Sequence, residues 1–357
     1  MLLAIVITVL CFVMLIILHE LGHFLLAKLF GMRVDEFAVG FPPRLWARKI
    51  GKTLYSFNAL LLGGFVKIHG EDILEQNTDQ DSFSNKPLWQ RVLVVLGGVL
   101  AFWVVAWVLL SFLAGSQGLP AMVGDQEPGV KNPIVQITQV IADSGAAAAG
   151  VAALDQIQSI ATTDQKIDPL TIAQVQQFIH EHANQELALT VTRQNQPLIL
   201  KVKVNEQGLI GIGLARIAWI SSPWYAAPAQ GLEATYKITG RILGALGDLL
   251  SRLVSGQRVE NADVRGPIGI GELFVQAFNN SIGYFVYFLA IISIYLAIFN
   301  LLPIPAVDGG RLLFLLLEGL RGKPIAPRLE ARVHNIFFLF LLTLLVLVSV
   351  FDVLRLF

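Results

Sequence analysis

Four long apolar segments constrain the fold of this chain more than any other feature of its sequence. They cover residues about 2–30, 88–114, 282–302 and 336–354. Each is close to or above the ~20 residues with which a helix crosses the hydrocarbon of a bilayer. The chain is 55% hydrophobic and 15% charged, a balance typical of a polytopic α-helical membrane protein. The first segment lacks a preceding basic region and a following cleavage site, so we interpret it as a retained span.

The residues between the second and third apolar segments have a different character. The runs Ile134–Ile137, Ala188–Val191 and Leu198–Val202 are rich in branched apolar residues and alternate with polar turns. The segment Ile172–Glu181 has the pattern of an amphipathic helix. We therefore expect a small, mostly β domain over residues 118–216, inserted between the second and third spans.

The segment Gly231–Ser255, within residues 217–265, carries apolar and charged side chains on opposite helical faces. This amphipathic pattern favours a helix that lies in the membrane interface over one that crosses the bilayer. The number of spans therefore stays at four, and the first and third spans run in the same direction across the membrane.

Basic residues in the short loops determine the predicted orientation. The loop between the first two spans and the loop before the fourth are rich in Lys and Arg, which marks both loops as cytoplasmic. Both chain termini and the domain at 118–216 are then extracytoplasmic. The formal net charge is zero, which gives no electrostatic basis for binding nucleic acid, and the single cysteine cannot form an internal disulfide. The basic residues are Arg33, Arg44, Arg48, Lys49, Lys52, Lys67 and Lys86 in one loop and Arg321, Lys323, Arg328 and Arg332 in the other.

The first span contains the motif His19-Glu20-Leu21-Gly22-His23. Positions i and i+4 share one face of a helix, so His19 and His23 can direct two imidazoles at one metal ion. Glu20 lies beside them, where a carboxylate can accept a proton from an attacking water. Because polar side chains are expensive inside a membrane, this setting favours a metal site over a chance occurrence of the motif.

A catalytic zinc site usually has three protein ligands, and Asp308 is the candidate for the third. It follows Pro303 and Pro305 and precedes Gly309-Gly310, in a segment that would break the third span at its end. Since the first and third spans run in the same direction, His23 and Asp308 both approach the cytoplasmic side. Asp308 could alternatively be a helix cap after the proline-rich break.

Three classes of function are compatible with such a site. A metal hydrolase needs an open coordination position, and three protein ligands leave one. A membrane scaffold with a structural metal site would need a fourth ligand, and no Cys, His or acidic residue is clearly in register to supply it. A metal transporter would need more polar residues along the second and fourth spans. The sequence favours the hydrolase, with the scaffold as the alternative.

The chain resembles the site-2 protease family of intramembrane zinc metalloproteases, and most of all its bacterial regulator-of-sigma-E protease branch. The resemblance rests on the histidine motif in the first span, on the segment Asn300–Gly310, on Gly63–Lys67 and on Gly266–Ile268. Two positions depart from the family pattern, since Gly98 and Ala101 stand where relatives often have proline and asparagine.

This resemblance implies a zinc cofactor, a general base and residues that contact the substrate. Residues 55–68 would form a membrane-reentrant β-hairpin, and residues 118–216 would be a single PDZ domain. Residues 1–117 and 266–357 would be the two halves of the membrane core. The implied site residues are Glu20 as general base, His19, His23 and Asp308 as ligands of Zn2+, and Asn300, Gly63, Gly64 and Phe65 as substrate contacts.

The implied activity is that of an intramembrane zinc endopeptidase, in contact with the lipid of a bacterial inner membrane. It would cleave in or near the transmembrane segment of a single-span membrane protein, for example an anti-sigma factor or a remnant signal peptide, during regulated intramembrane proteolysis. A site-1 protease would trim the substrate first. The PDZ domain would then act as a size filter or as a dock for the trimmed end.

Overall fold

The chain divides into two compact units. The computed structural model describes residues 2–71, 79–127, 133–193, 196–256, 266–323 and 325–354. The first unit comprises residues 1–110, 231–275 and 288–357, and the second comprises residues 111–230 and 276–287.

The described residues form helices and strands, and the last five elements along the chain are helices. The helices are α1 (Leu2–Leu29), α2 (Leu88–Ser116), α3 (Gly145–Ala148), α4 (Ile172–Glu181), α5 (Ala227–Val254), α6 (Pro267–Asn280), α7 (Ile282–Leu301), α8 (Asp308–Arg321) and α9 (Pro327–Leu354). The strands are β1 (Val34–Ile50), β2 (Thr53–Ile68), β3 (Leu119–Met122), β4 (Ile134–Val140), β5 (Gln156–Ala161), β6 (Lys166–Ile167), β7 (Glu186–Arg193), β8 (Gln196–Lys203) and β9 (Ile212–Ile220).

The four predicted spans are confirmed as helices that are long and apolar enough to cross a membrane. The qualifying stretches are Ile5–Leu29, Leu88–Ser116, Ile282–Leu301 and Arg328–Leu354. Helix α9 begins at Pro327, earlier in the sequence than the start predicted for the fourth span at about residue 336. The prediction places the basic residues before it in a loop, but proline suits the first position of a helix, and α9 begins at its proline.

The predicted hairpin at residues 55–68 is wrong in its boundaries. β1 and β2 pair around the turn Gly51-Lys52, where Gly51 has a φ of +60° that favours glycine. Residues Glu36–Val39 pair both with Gly64–Lys67 and with Leu54–Phe57. The first half of β1 therefore lies between the two halves of β2, and residues 55–68 do not form a hairpin of their own.

One apolar cluster in the first unit joins α1, α2, both strands and α8. Its members come from segments far apart in the sequence, so it sets the position of α8 relative to β2 and the end of α1. The buried residues of the cluster are Ala27, Met32, Val34, Ile68, Phe83, Val94, Val95, Leu312 and Leu315.

The second unit is built on a seven-stranded sheet in the order β3-β9-β4-β5-β7-β8, with β6 paired to β5. The buried core includes Val135, Ile160 and Val191 from the strands and Val175 from α4. Helix α4 has its predicted boundaries and begins at a capping box centred on Thr171. The mostly β character predicted for this region is confirmed.

Helix α5 is not among the described helices that qualify as candidate spans. Several of its apolar side chains, including Leu232, Leu243 and Leu250, are exposed. Its place in the membrane interface stays a prediction. Residues 257–265 of the predicted interfacial region lie outside the described residues.

Candidate metal centre

Helix α1 brings the two histidines of the motif together. His19 and His23 are one turn apart, both are buried, and their Nε2 atoms lie 3.2 Å from each other. The His23 Nδ1 atom lies 2.9 Å from the Val94 carbonyl oxygen on α2. That contact orients the His23 ring so that Nε2 faces His19, the kind of outer contact that fixes a metal-ligating imidazole.

Asp308 completes the cluster from a helix that the sequence did not predict. The prediction places it at the end of the third span, but α7 ends at Leu301 and Asp308 is the first residue of α8. Its Oδ2 atom lies 3.3 Å from His19 Nε2 and 3.4 Å from His23 Nε2. The loop between α7 and α8 therefore directs this carboxylate back to α1.

Two glycines allow that loop to fold tightly against the start of α8. A Cβ atom on Gly309 would lie 2.0 Å from the Leu302 carbonyl oxygen, and one on Gly310 would lie 2.3 Å from the Pro305 Cα. Any larger residue would push the loop away from α8. The two glycines are thus a structural requirement for the position of Asp308.

The separations between the three candidate ligand atoms suit a metal ion. They are 3.2, 3.3 and 3.4 Å, longer than the roughly 2.7–2.9 Å of a charge-assisted hydrogen bond. Ligands held tetrahedrally at about 2.0–2.2 Å from zinc would be ~3.3–3.6 Å apart. Two imidazoles and one carboxylate form a donor set that zinc accepts, and three protein ligands leave a position open for catalysis. The residues present therefore fit the metal.

Glycines on α1 and α2 give the histidines their space, a feature that the motif alone did not reveal. A Cβ on Gly22 would lie 2.1 Å from the Gly97 carbonyl oxygen, so the two helices touch through their backbones. A Cβ on Gly98 would lie 2.2 Å from His23 Nε2. Gly98, one of the two departures from the family pattern, thus stands directly against the histidine rings.

Glu20 faces the edge of β2. Its Oε2 accepts a hydrogen bond of 3.0 Å from the Val66 backbone N–H. Gly63 and Gly64 are buried in the same strand, and Phe65 in that strand is half-buried. The three predicted substrate contacts in β2 thus immediately precede the residue that binds the predicted base.

Asn300, the fourth predicted substrate contact, has a different environment. It lies in the last turn of α7, and its Nδ2 donates a hydrogen bond of 2.9 Å to the Leu296 carbonyl oxygen in its own helix. This bond ties the amide to its own helix, so the structure does not bring Asn300 into the cluster of candidate ligands.

A second acidic group lies near the end of β2. His69 Nδ1 is 3.1 Å from Asp35 Oδ2, and His69 Nε2 is 3.1 Å from Asp79 Oδ2. Two further ion pairs, Arg33–Asp35 and Lys52–Asp81, complete the group. Each of its three carboxylates thus has a cationic partner, which favours an ion-pair network over a metal site.

The chain is similar to a family of peptidases and to several proteins named as zinc metalloproteases. A family model described as Peptidase family M50 matches residues 7–344. A Clostridium perfringens protein, provisionally named as a zinc metalloprotease, is 31% identical over 98% of this chain and 98% of its own length. The regulator of sigma-W protease RasP of Bacillus subtilis is 30% identical over 96% of both chains. The zinc metalloprotease RasP of Bacillus licheniformis is 28% identical over 98% of both chains.

Proposed function

Because the chain belongs to peptidase family M50 and is a zinc metalloprotease of the site-2 type, we propose that His19, His23 and Asp308 hold the zinc and that Glu20 is the general base. The observation that carries this proposal is the convergence of three ligand atoms from two distant parts of the chain, all within 3.4 Å of one another.

The catalytic roles follow from where each side chain lies. Zinc, when bound, polarises the scissile carbonyl group and stabilises negative charge on its oxygen. Glu20 takes a proton from the attacking water and passes one to the leaving amine. The Val94 carbonyl oxygen keeps the His23 ring in position, and the stacked Phe102 ring, 4.7 Å from the His19 ring, restrains His19.

The substrate is a transmembrane helix that must unwind before cleavage, because a helix hides its peptide bonds in internal hydrogen bonds. The edge of β2 at Gly63–Val66 offers backbone groups that can replace those bonds by strand addition. The Val66 N–H already points from this edge to Glu20, so a strand bound here would pass close to the base. Asn300 would contact the substrate after turning away from its own helix.

The proposed topology has the active site toward the cytoplasmic side of a bacterial inner membrane. The basic residues between α1 and α2, and those from the end of α8 to the start of α9, lie on the cytoplasmic side, and both termini and residues 118–216 are extracytoplasmic.

In this proposal, residues 118–216 form a single PDZ domain. The part of β9 before Arg216 has no partner strand among the described residues on the side away from β4, which leaves an edge for a peptide. The domain either filters substrates by size or binds the end that a site-1 protease exposes.

The test is cleavage of a model single-span substrate by the purified full-length protein, with Glu20→Gln as the variant and Glu233→Gln on the exposed face of α5 as the control. Glu20→Gln should lose at least ~100-fold in cleavage rate while it keeps its zinc, since a general base contributes about 10²–10⁴. The control should match the wild type. Cleavage retained by Glu20→Gln would refute the assignment of the base.

A further inference from the structure

Arg311 lies one helical turn after Asp308 on α8 and joins that helix to the chain that follows β2. Its Nη1 donates a hydrogen bond of 2.7 Å to Glu71 Oε1, and its Nη2 donates one of 2.8 Å to the Glu71 backbone carbonyl oxygen. The guanidinium also stacks over the Phe83 ring, 4.7 Å from its centroid. Three contacts thus restrain a single side chain close to the candidate metal ligand.

Glu71, the partner of Arg311, is hydrogen-bonded to the end of β2, the strand beside Glu20. The Glu71 N–H donates to the Ile68 carbonyl oxygen at 3.1 Å, and Glu71 Oε2 accepts from the Ile68 N–H at 3.3 Å. Ile68 is the last residue of β2, shortly after Val66, whose N–H binds Glu20. Glu71 therefore lies between the strand that contacts the base and the helix that carries Asp308.

Apolar contacts hold α8 in place but do not fix its rotation, so the contact between Arg311 and Glu71 has a separate effect. Leu312 and Leu315 pack in the cluster that also contains Ile68 and Phe83, which holds α8 near β2. Apolar packing is non-directional, so it restricts the rotation of a helix less sharply than a bidentate hydrogen bond does. Asp308 is at the first position of α8, where a small rotation of the helix would move its carboxylate away from both histidines.

We propose that Arg311 and Glu71 are positioning residues, which hold Asp308 in register with His19 and His23 and tie that ligand to the strand beside Glu20. The inference rests on the zinc site proposed above. In this role, Arg311 and Glu71 contact neither zinc nor substrate.

The same helix supplies a matched control. Arg91 on α2 forms a bidentate pair with Glu318 on α8, and its Nη1 donates to Glu318 Oε2 at 3.1 Å. Both ion pairs are partly buried, and both join α8 to another element. Glu318 lies almost three turns beyond Asp308, so the loss of its pair should loosen α8 without turning its first residue.

The experiment measures the zinc affinity of the full-length protein in detergent by competition with a chelator. The variants are Glu71→Ala, Arg311→Met, their double mutant and the control Glu318→Ala. Each single variant of the pair should bind zinc roughly tenfold more weakly, the lower end of the loss that follows removal of a hydrogen-bonded partner of a ligand, because Arg311 and Glu71 act on Asp308 only through α8. The double mutant should lose no more than the worse single, because both changes break one interaction. The control should stay within about twofold of the wild type.

The two single variants together separate position from charge, because Glu71→Ala removes a negative charge and Arg311→Met removes a positive one. Electrostatics alone would shift the zinc affinity in opposite directions, whereas a lost position weakens zinc binding in both. Arg311→Lys keeps the charge but cannot form the bidentate contact, and it replaces Arg311→Met if that variant does not fold. Wild-type affinity in Glu71→Ala, or an equal loss in Glu318→Ala, would overturn the positioning role. A wild-type protein without stoichiometric zinc would overturn the zinc site itself and this inference with it.

Discussion

Helices α2 and α9 are both apolar enough to cross a membrane, yet they are held in the protein in different ways. Of the most apolar stretch of each helix, 39% is buried within the protein in α2 but only 6% in α9. α2 contacts α1 backbone to backbone, through Gly97 and Gly22. α9 is joined to other elements near its ends, where His334 lies 2.8 Å from the Pro305 carbonyl oxygen and Asp352 accepts from the Gly266 N–H at 3.0 Å.

This difference shows which features of a sequence make the helices of a membrane protein pack against each other. Lipid tails are as apolar as leucine, so hydrophobicity alone does not draw one helix to another. Small residues allow close approach, and polar groups that need partners supply specific contacts. Helices α1 and α2 have small residues where they touch and polar groups with specific partners, and α1 carries two of the candidate metal ligands. Most of α9 has neither small residues nor paired polar groups, and its exposed apolar side chains suit contact with lipid.

The largest effect should come from forcing α1 and α2 apart at the point where their backbones touch. Gly22→Val should reduce zinc affinity and cleavage by about 100-fold or more, because its Cβ would lie 2.1 Å from the Gly97 carbonyl oxygen and the displaced α1 would carry both histidines away from Asp308. Zinc competition and substrate cleavage measure the two losses. Gly244→Val on α5 is the control, since a Cβ there meets nothing within 4 Å. Normal zinc binding by Gly22→Val would show that α2 can move away from α1 without harm.

A second prediction compares the stability of the two helices directly. Gly97→Ala places a Cβ 2.6 Å from the Gly22 carbonyl oxygen, and this overpacking should lower the free energy of unfolding by roughly 1–3 kcal/mol. Leu344→Ala, on the exposed surface of α9, should change it by less than about 0.5 kcal/mol. Unfolding of both variants in detergent measures the difference. Equal losses in the two variants would remove the distinction between the helices.

The sequence predicted the local part of the candidate site better than its distant part. The spacing of His19 and His23 defines one helical face, and the direction of the spans was enough to bring Asp308 to the same side. No local signal, however, pairs Glu71 with Arg311, which are separated by most of the chain. The start of α8 at Asp308 was missed because the glycines after it weaken a helical pattern, although here they permit close packing.

The strand pairing near the site was missed for a related reason. The family resemblance implied strands within residues 55–68, but the partner of a strand depends on where the chain reverses. The turn at Gly51-Lys52 places β1 between the two halves of β2, and only Gly51 signals it. The resemblance thus pointed to the part of the chain that forms β2, whereas β1 and its register depend on contacts between distant residues.

A third prediction tests the anchor at the end of α9. Asp352 accepts hydrogen bonds from the N–H groups of Gly266 and Gly269, at 3.0 and 2.9 Å. Asp352→Asn keeps the shape but loses the charge and one acceptor, so the free energy of unfolding should fall by about 1 kcal/mol. Ser349→Ala is the control, because the Ser349 hydroxyl donates to Leu345 within α9 itself. An unchanged stability in Asp352→Asn would mean that α9 is held by its apolar contacts after all.

The smallest effect should come from the polar network around His69, which lies outside the four candidate spans and includes the exposed side chain of Asp79. The hydrogen bond to Asp79, followed by the contact with Asp35, raises the pKa of His69 above its usual value, although burial and Arg33 oppose this shift. A raised pKa in the folded state means that protonated His69 stabilises the protein fully below about pH 6.5. That contribution is lost as the pH rises through the folded-state pKa.

The midpoint of thermal unfolding should therefore fall more steeply above about pH 6.5 in the wild type than in His69→Asn. Asp79→Asn should reduce the slope as well, because it removes the largest cause of the raised pKa. The difference in stability should stay below ~1 kcal/mol, as for other ion pairs in contact with water. If His69→Asn kept the slope of the wild type, the network would contribute nothing that depends on the His69 charge. The contrast between polar contacts that involve the candidate spans, such as those of Asp352, and polar contacts outside them would then be larger than we expect.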